Sequence, residues 1–126
     1  MIKNVLIVAL GGGVGSVARY LLTLYIQKGS DGTFPWGTFI VNILGSLFIG
    51  LLYGLAERGH LMSTELRLLL AVGLCGGFTT FSTFANESFI LIRGGEFLHM
   101  AIYTSLSVVL GFSFVYLGYS LINLIR

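Results

Sequence analysis

Charge is scarce in this sequence. Only 10% of its 126 residues are Asp, Glu, Lys or Arg, against roughly 25% in a typical globular chain. Hydrophobic residues make up 56%, and the mean hydropathy is +0.94. Such a deficit excludes an ordinary water-solvated surface and points to lipid as the solvent. Proline occurs once, and so does cysteine. A single thiol, Cys75, excludes an internal disulfide and has no second cysteine with which to build a zinc cluster, so it reads as a small packing residue. No basic run is present to hold nucleic acid, and a net charge of +2 says little else about partners. Neither His60 nor His99 stands in metal-ligand spacing with another candidate, and Cys75 has no evident base near it, which makes an enzyme the least supported class.

What is abundant is apolar sequence in long pieces. Crossing a hydrocarbon core of about 30 Å takes roughly 20 helical residues, and the chain divides into four such spans, at about 4–27, 34–56, 68–92 and 97–125. The expected fold class is therefore an all-α membrane protein, one four-span domain over residues 1–126. Connections are short ("KGSDGT", "ERGHLMSTELR", "RGGE") and leave no room for a separate soluble domain. The first span lacks a small-residue cleavage site and reads as a retained helix. Lys3, Arg58, Arg67 and Arg126 flank one side of the spans, Lys28 and Arg93 the other. Four against two is a weak orientation signal, which permits insertion both ways and hence an antiparallel dimer.

Small residues repeat at helix-contact spacing: Gly11 and Gly15, Gly50 and Gly54, Gly73 and Gly77, Ser107 and Gly111. In lipid, such pairs let backbones approach closely. Gly76-Gly77 is the exception, a weak point at which the third helix is expected to break, because glycine costs roughly 1 kcal/mol relative to alanine in a helix.

Polar side chains inside a span are expensive and face a partner or a water-filled path. Asn42 sits mid-span with Thr38 one turn earlier; it reads as an interhelical hydrogen bond or as a donor lining a polar route. Thr79, Thr83 and Glu87 stand four apart and are expected to share a stripe, with Phe81 and Phe84 on an adjacent face. A ring presented edge-on attracts an anion without carrying charge. Tyr103, Ser107 and Gly111 form a further stripe in the fourth span. Arg19 and Glu87 are the only formal charges well inside the spans, and a structural ion pair between them is one reading.

The stretches "GGGVGSVARY", "GTFIVNILGS" and "GLCGGFTTFSTFANE" closely resemble the signature blocks of the Fluc fluoride channels, also called CrcB-type proteins. The resemblance covers the whole chain, and the third block is its most specific part. It implies a passive, fluoride-selective channel that lowers cytoplasmic fluoride, built as a dual-topology homodimer of antiparallel subunits in the plasma membrane, the inner membrane of bacteria. It further implies two fluoride pathways at the subunit interface and a structural sodium ion at the dimer centre. By the same resemblance, Asn42, Phe81 and Phe84 line the pathway, with hydroxyls from Ser82 and Thr83, and Tyr103 and Ser107 begin a polar track. Arg19 becomes a vestibule charge, Glu87 closes the third block, and Gly76 and Thr79 offer backbone carbonyls to sodium. At the next track position this chain has Gly111, where some relatives have serine. The alternative in a different class is a small dual-topology multidrug or cation exporter, which relies on a glutamate in its first span; here that span carries Arg19.

Overall fold

The computed structural model describes residues 1–29, 32–58 and 63–124. Four helices in it are long and apolar enough to cross a membrane: α1 (Ile2–Lys28), α2 (Trp36–Glu57), α3 (Thr64–Arg93) and α4 (Phe97–Leu124). Arg126, His60 and the last position of the expected fourth span lie outside the described residues. α3 starts several residues ahead of the expected span because the Ser63 hydroxyl accepts from the Leu66 N–H at 3.1 Å and caps it. Arg67 thereby belongs to that helix.

α2 packs most extensively on α4, while α1 packs on the first half of α3. Both contacts are made by backbones. A Cβ at Gly11 would overlap the Leu69 carbonyl, one at Gly77 the Gly12 carbonyl, and one at Gly50 the Val115 carbonyl. On α4 the close-approach residue is Gly118, against Leu47, and not the expected Ser107 and Gly111 pair: a Cβ at Gly111 would make only ordinary contact, 3.6 Å from Ser46 Oγ. Dispersion between closely approaching backbones replaces the hydrophobic effect that lipid removes. The buried hydrophobic set among the described residues is correspondingly small: Phe39, Val41, Leu52, Cys75, Leu91 and Tyr103. α1 ends against α2, where Gln27 Oε1 accepts from the Gly37 N–H at 2.7 Å. Between α3 and α4, Gly95 takes φ +78°, a left-handed conformation that favours glycine.

α3 is not one continuous helix. It is α-helical at Thr64–Arg67, winds as a wider π-helix over Leu68–Cys75, returns to α at Gly76–Phe78, and resumes at Ser82–Arg93. The interruption falls at Thr79 to Phe81, just beyond the glycine pair. Gly76 has helical φ −62° and ψ −37°, whereas Thr79 is extended at φ −87° and ψ 161°. Propensity favoured the glycines, but the backbone opens where its hydrogen-bonding groups find partners on other helices.

Candidate functional site

Five backbone groups around the interruption are handled by side chains. Arg19 Nε, from α1, donates to the Gly77 carbonyl at 3.0 Å. Asn42, from α2, takes both groups of Thr80: its Oδ1 accepts from the Thr80 N–H at 2.9 Å and its Nδ2 donates to the Thr80 carbonyl at 3.0 Å. Thr80 Oγ1 in turn accepts from the Thr83 N–H at 3.2 Å, and Thr79 Oγ1 bonds back to the Cys75 carbonyl at 2.9 Å. The Thr80 and Thr83 N–H groups are those that would close an unbroken helix onto the Gly76 and Thr79 carbonyls. Their diversion frees both oxygens.

Beside the interruption lies an open groove of about 560 Å³. Asn42 and Ser46 from α2, Gly76, Thr79, Thr80, Phe81 and Phe84 from α3, and Ser107 and Phe112 from α4 are among its lining residues, and none of the residues lining it carries a formal charge. Phe81 is 77% exposed there. Ser107 Oγ is buried and has no hydrogen-bond partner among the described residues. Cys75 is buried in the wall, a thiol in an apolar packing position.

Behind the groove runs a line of rings. Phe81 and Phe84 have centroids 5.9 Å apart, Phe84 and Tyr103 5.1 Å, and Phe34 meets Tyr103 edge-on at 5.4 Å. Tyr103 is fully buried, and its hydroxyl donates to Glu87 Oε1 at 3.1 Å. Glu87 lines a second hollow of about 430 Å³ with Gln27, Thr33 and Glu96. Tyr103 thus touches a residue of each hollow.

Several expectations change on this geometry. Thr79 does not share a stripe with Thr83 and Glu87, since the extended backbone at Thr79 ends the helical period that would align them. Arg19 and Glu87 do not pair, each being occupied elsewhere, by the Gly77 carbonyl and the Tyr103 hydroxyl. Ser82 and Thr83 open the second half of α3 outside the groove lining, and Arg19 lines neither hollow. Thr80, Ser46 and Gln27 escaped sequence reasoning. Thr80 stood inside the quoted third block, but only its backbone contacts single it out. Ser46, whose hydroxyl donates to the Asn42 carbonyl at 2.8 Å, looks in sequence like any serine in an apolar helix.

Comparisons with known proteins bear on this site. The family described as CrcB-like protein, Camphor Resistance (CrcB), matches residues 6–119. A protein of Phocaeicola vulgatus named Fluoride-specific ion channel FluC is 53% identical over 116 residues, covering 92% of this chain and 95% of that protein. Proteins of the same name from Flavobacterium psychrophilum, 47% identical over 92% of this chain and 94% of the relative, and from a Shewanella strain, 44% identical over 94% and 95%, are similarly close.

Proposed function

The chain belongs to the CrcB-like family, and from that premise we propose that it is a fluoride-selective channel of the membrane, passing the anion passively and lowering its cytoplasmic concentration. The observation that carries the reading is the groove: hydroxyls, an amide and phenylalanine rings meet in it without a formal charge. Fluoride is small and tightly hydrated, so its path must replace water with donors at close quarters. The Asn42 amide, the free Ser107 hydroxyl and the edges of Phe81 and Phe84 serve in that way, while Tyr103 and Glu87 carry the polar line toward the second hollow. The exporter alternative gains no support from relatives named as fluoride channels.

In this reading two protomers insert with opposite orientations, in the bacterial inner membrane, and each covers the groove of the other. The exposure of Phe81 and Phe112, at 77% and 76% in the protomer, supports such a cover. The Gly76 and Thr79 carbonyls, freed of helical donors, suit a hard cation such as sodium, which holds fixed positive charge near a passing anion. Oxygen contacts of about 2.3 to 2.6 Å, the range of the similarly sized calcium ion, would identify a metal between subunits, and about 2.8 Å a water. Antiparallel insertion predicts that a cysteine placed near the C-terminus, in a Cys75→Ala background, labels from both membrane faces; one-sided labelling rejects it.

Purified protein in liposomes, with fluoride and chloride efflux followed by ion-selective electrodes, tests the function. Fluoride efflux far above chloride is expected, and equal efflux of both ions sinks the proposal.

A further inference from the structure

Breaking a helix inside lipid strips backbone groups of partners where no water replaces them. Thr80 stands at the centre of the interruption, and a single side chain satisfies its N–H and its carbonyl together, at 2.9 and 3.0 Å. The arrangement is that of a paired strand residue, made here by one amide. A primary amide carries a neutral acceptor and donor side by side at any pH, and one N–H of Asn42 remains after both bonds are made. Gly45, three residues along α2, allows the approach: a Cβ there would overlap the Thr79 side chain. The next residue after Thr80 is Phe81, whose ring stands in the groove.

We propose that Asn42 is a positioning residue, whose amide clamps the Thr80 backbone and thereby sets where Phe81 presents its ring and where its own remaining N–H points. The flux arm of the test rests on the channel reading; the exchange arm does not. The clamp explains the use of an amide: Asn42→Asp, as the carboxylate, keeps the acceptor for the Thr80 N–H but loses the donor to its carbonyl.

The decisive experiment replaces Thr80 by its α-hydroxy acid, so that a backbone ester deletes one N–H and leaves every side chain in place. The ester lowers fluoride efflux roughly two- to tenfold, the worth of one hydrogen bond. In an Asn42→Ala background it lowers efflux no further, whereas in Asn42→Asp, which retains the acceptor, its effect persists. An ester without effect in the otherwise unaltered protein overturns the proposal. So does an equal effect in Asn42→Ala, which would place the loss in the weakened Thr79 carbonyl or in general destabilisation. Independently, hydrogen exchange at the Thr80 amide quickens in Asn42→Ala; unchanged exchange also overturns the clamp. Should the unaltered protein pass no fluoride, the channel reading fails and the exchange measurement alone decides.

Discussion

The two halves of α3 are held by opposite means. Residues 64–78 lie against α1 chiefly through backbone: Gly11, Gly15, Gly73 and Gly77 bring main chains together, with side-chain bonds at the two ends, Lys3 to Glu65 and Arg19 to the Gly77 carbonyl. Ser82–Arg93 lies against α4 through side chains, with the Tyr103 hydroxyl on Glu87 and Ser88 3.4 Å from Thr104. The first kind of contact tolerates no added atom, because backbone cannot rotate away. The second tolerates changes of shape but deprives a partly buried polar group of a partner if the other is removed. Polar handling of α3 therefore concentrates at and beyond the interruption, while the half before it serves as the fixed support.

The sharpest way to break this contrast is Gly15→Val. Even its Cβ would overlap the Leu74 carbonyl, and overpacking of that kind costs about 3 kcal/mol. A large drop in the unfolding midpoint in detergent is expected, and an unchanged midpoint would show that the backbone contact is not the support. Tyr103→Phe addresses the second half: it keeps the ring and removes one hydrogen bond from the partly buried Glu87, for a loss of about 1 to 3 kcal/mol in stability. The measurement is the same unfolding series, where a loss as large as that of Gly15→Val would erase the distinction. Phe81→Ile removes a ring edge from an exposed position, so stability stays within about 0.5 kcal/mol while fluoride efflux in liposomes falls; wild-type efflux would mean the ring is misassigned. The smallest effect on the protomer is expected from Gly76→Ala. A Cβ there meets nothing within 4 Å in the protomer, in contrast to its neighbour Gly77. Intact protomer stability combined with altered association, read by cross-linking, would locate the Gly76 face between subunits.

The four spans were legible because hydropathy over a helix-length window needs no knowledge of neighbours. The glycine contacts of α1, α2 and α3 were legible for a related reason: small residues one turn apart form a ledge on any helix. That logic failed at Ser107 and Gly111, where the groove and the Ser46 hydroxyl, respectively, and not a second backbone, lie opposite. It failed again at Gly76-Gly77, since low helix propensity marks where a helix is weak and says nothing of where its freed groups find partners. Arg19 and Glu87, for which an ion pair was one reading, belong instead to a carbonyl and a hydroxyl.

The sequence by itself determined that this chain suits lipid, has four segments long and apolar enough to cross it, and carries asparagine, phenylalanines and hydroxyls where lipid tolerates few of them, because composition and helical period are properties of each segment alone. Only the tertiary structure decided where α3 opens and which groups its opening frees. Arg19 and Asn42 reach Gly77 and Thr80 across 58 and 38 residues of chain, and a backbone group in hydrocarbon opens only where a partner from elsewhere in the fold arrives to meet it.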